Sequence, residues 1–246
     1  MTADLLIGAS ILLLGGVVQG CAGFGLALTT VPVLMLILPH TQVPPILVVL
    51  GLINNLIVLF ETRAAVNARL VWPLIVGGAA CLPLGAWLLT SLNAATFKIG
   101  VGVVVLLAAG ALLWGLKLAI APRWHSLLPV GMLSGLLGGS TSLSGPPVIL
   151  FFANEGKGKQ HFRGNLIAYF TLLNVGSIAV FWAFGLLKRE VWLSCAVYLI
   201  PLLIGTFIGM WVARRVNERV FRRIVLALIA AIGLALIASN LKGLVG

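Results

Sequence analysis

Two glycine-rich stretches with a shared pattern decide the fold of this chain. The first, Gly16 to Pro32, reads GVVQGCAGFGLALTTVP, and the second, Gly131 to Pro147, reads GMLSGLLGGSTSLSGPP. At a spacing of 115 residues, glycines and a proline coincide: Gly16 with Gly131, Gly20 with Gly135, Gly23 with Gly138 and Pro32 with Pro147. Each stretch interrupts an apolar region in which a helix would otherwise continue, because glycine and proline weaken helix propagation. Broken helices at matching positions of two halves are typical of membrane transporters, where they point to the binding site.

The composition indicates a membrane protein. Of the 246 residues, 61% are hydrophobic and only 9% are charged, and the mean hydropathy is +1.18. A soluble chain of this size could not bury so much apolar surface in one core. Apolar runs of about 20 residues recur along the chain, which is the length that crosses a bilayer. Alternating strand patterns are missing, so the spans are predicted to be helices.

The formal net charge of +11 has two readings. In a soluble protein it would indicate a nucleic-acid partner. In a membrane protein, Lys and Arg concentrate in the cytoplasmic loops. The second reading fits the composition, so the expected partners are the lipid bilayer and a small substrate, with no nucleic acid.

Five apolar segments can be read in each half of the chain. Those of the first half are 5–20, 24–38, 43–60, 70–90 and 96–116. Those of the second half are 126–138, 143–153, 165–185, 191–212 and 221–240. The first two of each half are short and enclose the glycine-rich motif, which predicts two short tilted spans or a re-entrant hairpin.

Counting each broken region as a single span gives eight spans instead of ten segments, and the positive-inside rule separates the two models. With ten segments, twelve Lys and Arg fall on one side and four on the other; with eight spans the division is nine to seven. The ten-segment model is favoured. It places the major basic loops in the cytoplasm and both termini outside a plasma (inner) membrane that the chain crosses several times. Because five is an odd number, the halves would form an inverted repeat.

The fold class predicted from these patterns is an all-α integral membrane protein with two homologous five-segment halves. Further matches support the duplication: Gly85-Ala86-Trp87 with Gly209-Met210-Trp211 at a spacing of 124, and Asn54 with Asn174 at 120. Residues 1–117 form the first membrane repeat and 126–246 the second. The polar segment 118–125 connects them, and the two repeats together make a single transport domain.

The helix breaks supply the groups expected to bind a substrate. A half-helix that begins after a break presents free N–H groups and a partial positive charge, which suit an anion. Hydroxyl and amide side chains nearby add donors, and Gln19 and Asn55 are further polar groups of this kind. The predicted substrate-binding residues are Gly23, Gly25, Thr29, Thr30 and Asn54 in the first half, and Gly138, Gly139, Ser140, Thr141, Ser142, Ser144 and Asn174 in the second.

An alternative reading of the same glycines is helix packing. The pairs Gly16/Gly20, Gly131/Gly135 and Gly205/Gly209 are each GxxxG, and small residues commonly form the contact surface between membrane helices. A serine in a span can also bond to its own backbone. The duplicated cluster of glycine, hydroxyl and proline residues favours binding for the two motifs taken together.

The ionisable residues constrain the mechanism. All five carboxylates lie near predicted segment ends, so no span carries the mid-membrane acid that cation-coupled carriers often use. No residue spacing indicates a metal site, a cofactor or a catalytic group, and an enzyme is not expected. His161 and Arg163 lie in a predicted cytoplasmic loop and are candidates for a gate.

The chain resembles the sulfite exporter TauE/SafE family of inner-membrane permeases. The resemblance rests on the chain length, the two homologous halves and the glycine pattern of residues 16–32 with its echo at 131–147; Ser140 stands where a third consecutive glycine would complete that echo. It implies transport of sulfite, sulfonates such as sulfoacetate, thiosulfate or other small organic anions, with export as the expected direction. Family members are often described with eight spans, whereas the charge distribution here favours ten segments.

Three alternatives remain at the level of sequence. The chain could carry another small organic acid, carry a neutral solute, or serve as an assembly or sensory membrane protein without transport. The sequence leaves the oligomeric state open, a homodimer included.

Overall fold

The computed structural model describes residues 2–116, 121–155 and 158–213. These residues form nine α-helices and no strand. The helices are α1 (Thr2–Ala22), α2 (Leu26–Ile37), α3 (Val43–Thr62), α4 (Ala68–Ser91), α5 (Ala94–Leu113), α6 (Trp124–Thr141), α7 (Gly145–Glu155), α8 (Lys159–Ala183) and α9 (Arg189–Val212). Each corresponds to one predicted segment, so the all-helical prediction is confirmed for the first nine; the tenth, 221–240, lies outside the described residues.

Helix length separates two kinds of element. Among the described residues, six helices are long and apolar enough to cross a membrane: α1, α3, α4, α5, α8 and α9. In contrast, α2 has 12 residues and α7 has 11, while α6, with 18, is intermediate. At about 1.5 Å per residue, α2 and α7 extend only about 16–18 Å, against about 30 Å of hydrocarbon. Neither α2 nor α7 can cross the bilayer by itself.

Local sequence explains where several helices begin. The side chain of Asn67 accepts a hydrogen bond from the backbone of Arg69 at the start of α4, and Asn93 accepts one from Thr96 at the start of α5. Such caps satisfy first-turn N–H groups that have no partner within the helix. At the start of α7, Pro146 and Pro147 lie in the first turn, where a missing N–H costs no helical hydrogen bond.

The helices pair across the two halves of the chain. The pairs with the most extensive contacts are α1 with α9 and α4 with α6, while α3 packs against α8. Glycines bring the paired backbones together. A Cβ on Gly16 would clash with the carbonyl oxygen of Leu202, and one on Gly135 would clash with that of Gly78. The GxxxG glycines therefore form helix contacts, as their spacing predicts.

These contacts fix the correspondence between the halves. Three glycine contacts between α1 and α9 have counterparts between α6 and α4. Gly16 contacts Leu202 as Gly135 contacts Gly78, and Gly20 contacts Thr206 as Gly139 contacts Leu82. In the same way, Gly209 contacts Val17 as Gly85 contacts Leu136. Corresponding residues of α1 and α6 therefore differ by 119 in residue number, and those of α4 and α9 differ by 124. The spacing of 115 read from the sequence is thus one helical turn short. Glycines recur every four residues in α6, so the GxxxG pattern also matches itself after a shift of four.

The equivalent contacts are exchanged between the halves. The first helix of each half packs against the fourth helix of the other half, and the two third helices pack against each other. Each of these surfaces therefore meets the counterpart of its own partner. The two central helices, α3 and α8, lie where the halves meet.

Candidate functional site

Both glycine-rich motifs contain a break between two helices, and left-handed backbone forms each break. Between α1 and α2, Gly23 has φ of 81° and Gly25 has φ of 105°. Between α6 and α7, Ser142 has φ of 61° and is the single non-glycine residue with positive φ in the described part of the chain. The shift of 119 residues takes Gly23 to Ser142 and Gly25 to Ser144. The two breaks therefore lie at corresponding positions, although the first has two left-handed glycines and the second has one left-handed residue, Ser142.

A cavity of about 60 Å³ lies between the two breaks. Its walls come from both breaks, from the middle of α3 and α8, and from one residue of α1. The lining residues include Gln19, Gly25, Leu26, Ala27, Leu28, Gly51, Asn55, Ser142, Ser144, Gly145, Phe170 and Asn174. Four equivalent pairs at the 119 spacing occur among them: Gly25/Ser144, Leu26/Gly145, Gly51/Phe170 and Asn55/Asn174. The cavity is thus built from corresponding parts of the two halves.

A chain of hydrogen bonds orients the amides on one side of this cavity. The backbone N–H of Leu26 donates to Gln19 Oε1 at 3.2 Å, and Gln19 Nε2 donates to Asn55 Oδ1 at 2.7 Å. Gln19 and Asn55 are both buried. Because the oxygen of Asn55 is already an acceptor, this side chain can offer its amide N–H groups to the cavity. Among the described residues no hydrogen bond engages Asn55 Nδ2, so this nitrogen is the donor that the chain of bonds leaves available.

Ser144 and Asn174 provide side-chain groups on the opposite side. Ser144 is only 7% exposed, and no hydrogen bond within the described residues engages its hydroxyl. The amide nitrogen of Asn174 lies beside Gly51, where an added Cβ would be 3.1 Å away. A side chain at Gly51 would crowd this amide, so the glycine keeps it accessible to the cavity.

A second layer of residues fixes the break that carries Ser144. The hydroxyl of Tyr169 donates to Ser134 Oγ at 2.7 Å, and Ser134 Oγ donates to the backbone carbonyl of Ser144. Tyr169 and Ser134 are fully buried. Sequence reasoning missed both residues, since only the fold brings α6, α8 and the break together. The one available signal was a polar residue in the middle of an apolar span.

The first turns of α2 and α7 also face the cavity. Within the described residues no hydrogen bond engages the N–H groups of Ala27 and Leu28, as expected for the first turn of a helix. In α7 the first turn offers the N–H of Gly145, since the two prolines that follow have none. Two helix N-termini with their partial positive charges therefore converge on one cavity. Among the residues that the structure describes, no ionisable side chain lines it.

Four of the predicted site residues line the cavity: Gly25, Ser142, Ser144 and Asn174. The hydroxyls of four others donate to carbonyls of their own helix: Thr29, Thr30, Ser140 and Thr141. The remaining glycines, Gly23, Gly138 and Gly139, pack closely against neighbouring residues. These seven residues support the breaks from outside the cavity wall.

Asn54 also lies outside the wall and faces the interface with α9. It is fully buried, and its Oδ1 accepts a hydrogen bond from the hydroxyl of Thr206. Its neighbour Asn55, which the sequence named only as a further polar group, is the asparagine of α3 that lines the cavity. The two differ because successive residues of a helix point about 100° apart.

The two gate candidates lie at the start of α8, away from the cavity lining. Arg163 is buried and contacts the ends of α1 and α3 through Gly20 and Glu61. His161 is exposed, and its Nδ1 lies 3.0 Å from the carbonyl oxygen of Ala65. Both residues join α8 to other helices at one end of the molecule.

The fold and the cavity define a class of protein: a multi-pass helical membrane protein with a polar cavity between two broken helices, the architecture of secondary transporters. The sequence model of the sulfite exporter TauE/SafE family matches residues 8–236, nearly the whole chain, and the chain belongs to that family. Membership implies a membrane transporter of sulfur anions. No curated protein and no solved structure matches the chain significantly.

Proposed function

We propose that this protein is a permease that exports a compact sulfur oxyanion or organosulfonate, such as sulfite or a sulfoacetate-like anion, by alternating access around the cavity. One observation carries the proposal: two helix N-termini and several neutral donors converge on a buried cavity, and no carboxylate of the described part of the chain lines it. Sulfite and sulfonate oxygens accept several hydrogen bonds at once, and bonds to a charged acceptor are the stronger ones.

The size of the cavity favours a small ligand. A water molecule needs about 10–15 Å³ of such volume, so 60 Å³ holds on the order of four to six non-hydrogen atoms. A compact oxyanion such as sulfite falls inside this range. Sulfoacetate is longer and requires the cavity to widen.

The exchange of contacts between the halves supports an inverted repeat. In the orientation given by the Lys and Arg distribution, the break after α1 opens toward the cytoplasm and the break after α6 toward the outside. The short helices α2 and α7 would then run from the two breaks in opposite directions, α2 leading the chain back to the outside and α7 leading it back to the cytoplasm. Rocking of one half against the other would expose the same cavity to each side in turn.

The direction of transport follows from the membrane potential. An inside-negative potential favours outward movement of an anion by about 2.3 kcal/mol per charge per 100 mV. The carboxylates in the described part of the chain, Asp4, Glu61, Glu155 and Glu190, lie near helix ends, so the potential itself would be the driving force. We place the protein in the plasma (inner) membrane as a single transport domain of two repeats, with both termini outside.

The proposal is tested with purified protein in vesicles loaded with sulfite, thiosulfate, sulfoacetate, taurine or acetate. Sulfite or a sulfonate should leave faster than acetate and taurine. Ser144→Ala should raise the anion concentration needed for half-maximal efflux about tenfold or more, since it removes a hydrogen bond to a charged group. Ser140→Ala is the matched control because that hydroxyl bonds only to its own helix, at Leu136 and Leu137.

The outcomes separate the alternatives. Preferred efflux of acetate would identify a carrier of other organic acids, and preferred efflux of uncharged taurine zwitterion would identify a carrier of neutral solutes. No efflux of any compound, with the protein folded, would favour an assembly or sensory role. An efflux rate that ignores an imposed potential and follows only a pH gradient would overturn export driven by the potential.

A further inference from the structure

The start of α8 carries a buried cation that is tied to two other helices. Arg163 is 5% exposed. Its Nη2 donates to the carbonyl oxygen of Gly20 at 2.7 Å and lies 3.3 Å from Glu61 Oε2. Gly20 lies in the last turn of α1 and Glu61 in the last turn of α3. Both helix C-termini have a partial negative charge, so this is a favourable place for a guanidinium.

The guanidinium is incompletely satisfied. Its Nε is buried and has no hydrogen-bond partner, and arginine cannot discharge by losing its proton. The carboxylate that balances it, Glu61, is about one third exposed (34%) and is therefore reachable from water. A buried cation with a spare donor and an exchangeable counter-ion is able to accept another oxyanion.

Arg163 also lies directly behind one wall of the cavity. Its Cγ occupies the space beside Gly23, where an added Cβ would be only 2.6 Å away. Gly25, two residues further along the same break, lines the cavity. Phe162 adds an edge-to-face contact with Phe24 within that break. The start of α8 thus closes the α1–α2 end of the cavity.

The equivalent closure at the other end of the cavity is uncharged. The shift of 119 residues takes Gly23 to Ser142 and Pro44 to Arg163. Ser142 Oγ donates to the carbonyl oxygen of Pro44 at 2.9 Å, so the corresponding helices do meet, but through a single neutral hydrogen bond. The two ends of the cavity therefore differ in charge: the α1–α2 end is closed by a guanidinium, and the corresponding position at the other end is the uncharged Pro44.

We infer that Arg163 is an anion-operated latch at the α1–α2 end of the cavity, where a sulfur oxyanion displaces Glu61 from the guanidinium and so releases α8 from α1 and α3. This inference rests on the proposed function, because it requires an anion in the pathway. It assigns Arg163 a transient oxyanion site separate from the cavity. The other end, closed by Ser142 and Pro44, opens without such an exchange.

A native cysteine next to the latch reports its state. Cys21 directly follows Gly20 and is buried. In a Cys81→Ser, Cys195→Ser background it is the single cysteine of the chain, and its rate of maleimide labelling measures how often this end opens. Sulfoacetate serves as the anion probe, with chloride at equal ionic strength as the control.

The latch makes distinct predictions for its two members. Glu61→Gln leaves the buried cation without its counter-ion, so labelling of Cys21 should rise about tenfold without any anion, a modest value because Glu61 is partly exposed. Arg163→Gln should also raise basal labelling but abolish any further increase with sulfoacetate. In the double variant the effect of Glu61→Gln should disappear, because no guanidinium remains to be balanced.

Several controls keep the result interpretable. Arg163→Lys keeps the charge but not the planar fork of donors, and should retain a weakened response to the anion. Thr90→Ala should leave Cys21 labelling unchanged, since that hydroxyl bonds only to carbonyls of its own helix, α4. Thermal melting of each variant distinguishes opening of the latch from unfolding.

The inference is overturned if Glu61→Gln labels at the wild-type rate, or if Arg163→Gln and the wild type respond equally to sulfoacetate. These outcomes are separable from failure of the proposed function. If the wild type exports sulfonate but the response of Cys21 labelling to the anion does not depend on Arg163, the proposed permease function stands and the latch is rejected. If no anion is exported, the proposed function is rejected instead. The rate of Cys21 labelling in Glu61→Gln without anion would still show whether the ion pair holds this end closed.

Discussion

Gln19 on α1 donates a 2.7 Å hydrogen bond to the amide oxygen of Asn55 on α3. This bond joins the first broken helix to one of the two central helices and determines which atoms of Asn55 face the cavity. The wall therefore presents N–H donors, which is the polarity that an anion requires. Its orientation depends in turn on the Leu26 N–H, which holds the oxygen of Gln19.

Replacing Asn55 with Asp should test this polarity. The substitution keeps the acceptor for Gln19 but exchanges the amide N–H groups for a carboxylate oxygen at the cavity wall. We expect the affinity for a sulfur oxyanion to fall by more than about tenfold, because a like charge is introduced and donors are lost. Titration of the purified variant with sulfite or sulfoacetate measures this. Unchanged affinity would show that Asn55 does not face the ligand.

Replacing Gly135 with Ala should destabilise the pairing of α4 with α6. An added Cβ would overlap the backbone of Gly78, and neither backbone can move without separating the helices. The expected cost is about 1–3 kcal/mol or more, as for other overpacked contacts. Gly100→Ala is the control, because nothing lies within 4 Å of a Cβ on this helical glycine and alanine favours helix. Thermal melting in detergent compares them, and equal melting temperatures would contradict the packing role.

Replacing Gly23 with Ala should show how closely Arg163 packs on the first break. Gly23 and Gly115 both have positive φ, of 81° and 67°, so alanine at either position carries a backbone penalty of about 1–2 kcal/mol. Only at Gly23 would the new Cβ also meet a neighbour, the Cγ of Arg163. Gly23→Ala should therefore melt at a lower temperature than Gly115→Ala. If both variants lose the same stability, the contact with Arg163 contributes nothing.

Acidification should destabilise the loop between α2 and α3 through His40. Burial, and secondarily the charge of Lys98, lower the pKa of His40 below its ordinary value of 6.5. The folded state then binds a proton less readily than the unfolded state. The contribution of this residue to stability is complete above pH of about 6.5 and is lost as the pH falls toward the depressed pKa. Melting temperatures at pH 7.5 and pH 5 should differ less in His40→Gln than in the wild type; an identical difference would exclude His40 as the source.

The sequence predicted the helices better than it predicted the site. Nine segments were located because apolar length and glycine breaks are local properties. Ser140 and Thr141 were plausible ligands by the same local criteria, yet within a helix their hydroxyls reach back to carbonyls about four residues earlier. Ser144 lies beyond the end of α6 and has no such carbonyl, so its hydroxyl stays available. The apolar pattern placed the end of this segment at residue 138, whereas α6 continues to Thr141, so Ser140 and Thr141 were assigned to the break.

By itself, the sequence determined that the chain is a helical membrane protein, that it is interrupted at two glycine-rich motifs, and that its carboxylates stay near segment ends; it predicted two related halves. Composition, apolar length and glycine content suffice for this because each acts within one segment. Only the tertiary structure decided the register of 119 residues, the joining of Gln19 to Asn55, and the burial of Arg163 against Gly20 and Glu61. Those features depend on contacts between helices distant in the chain, and a repeating GxxxG pattern permits several registers that only packing can distinguish.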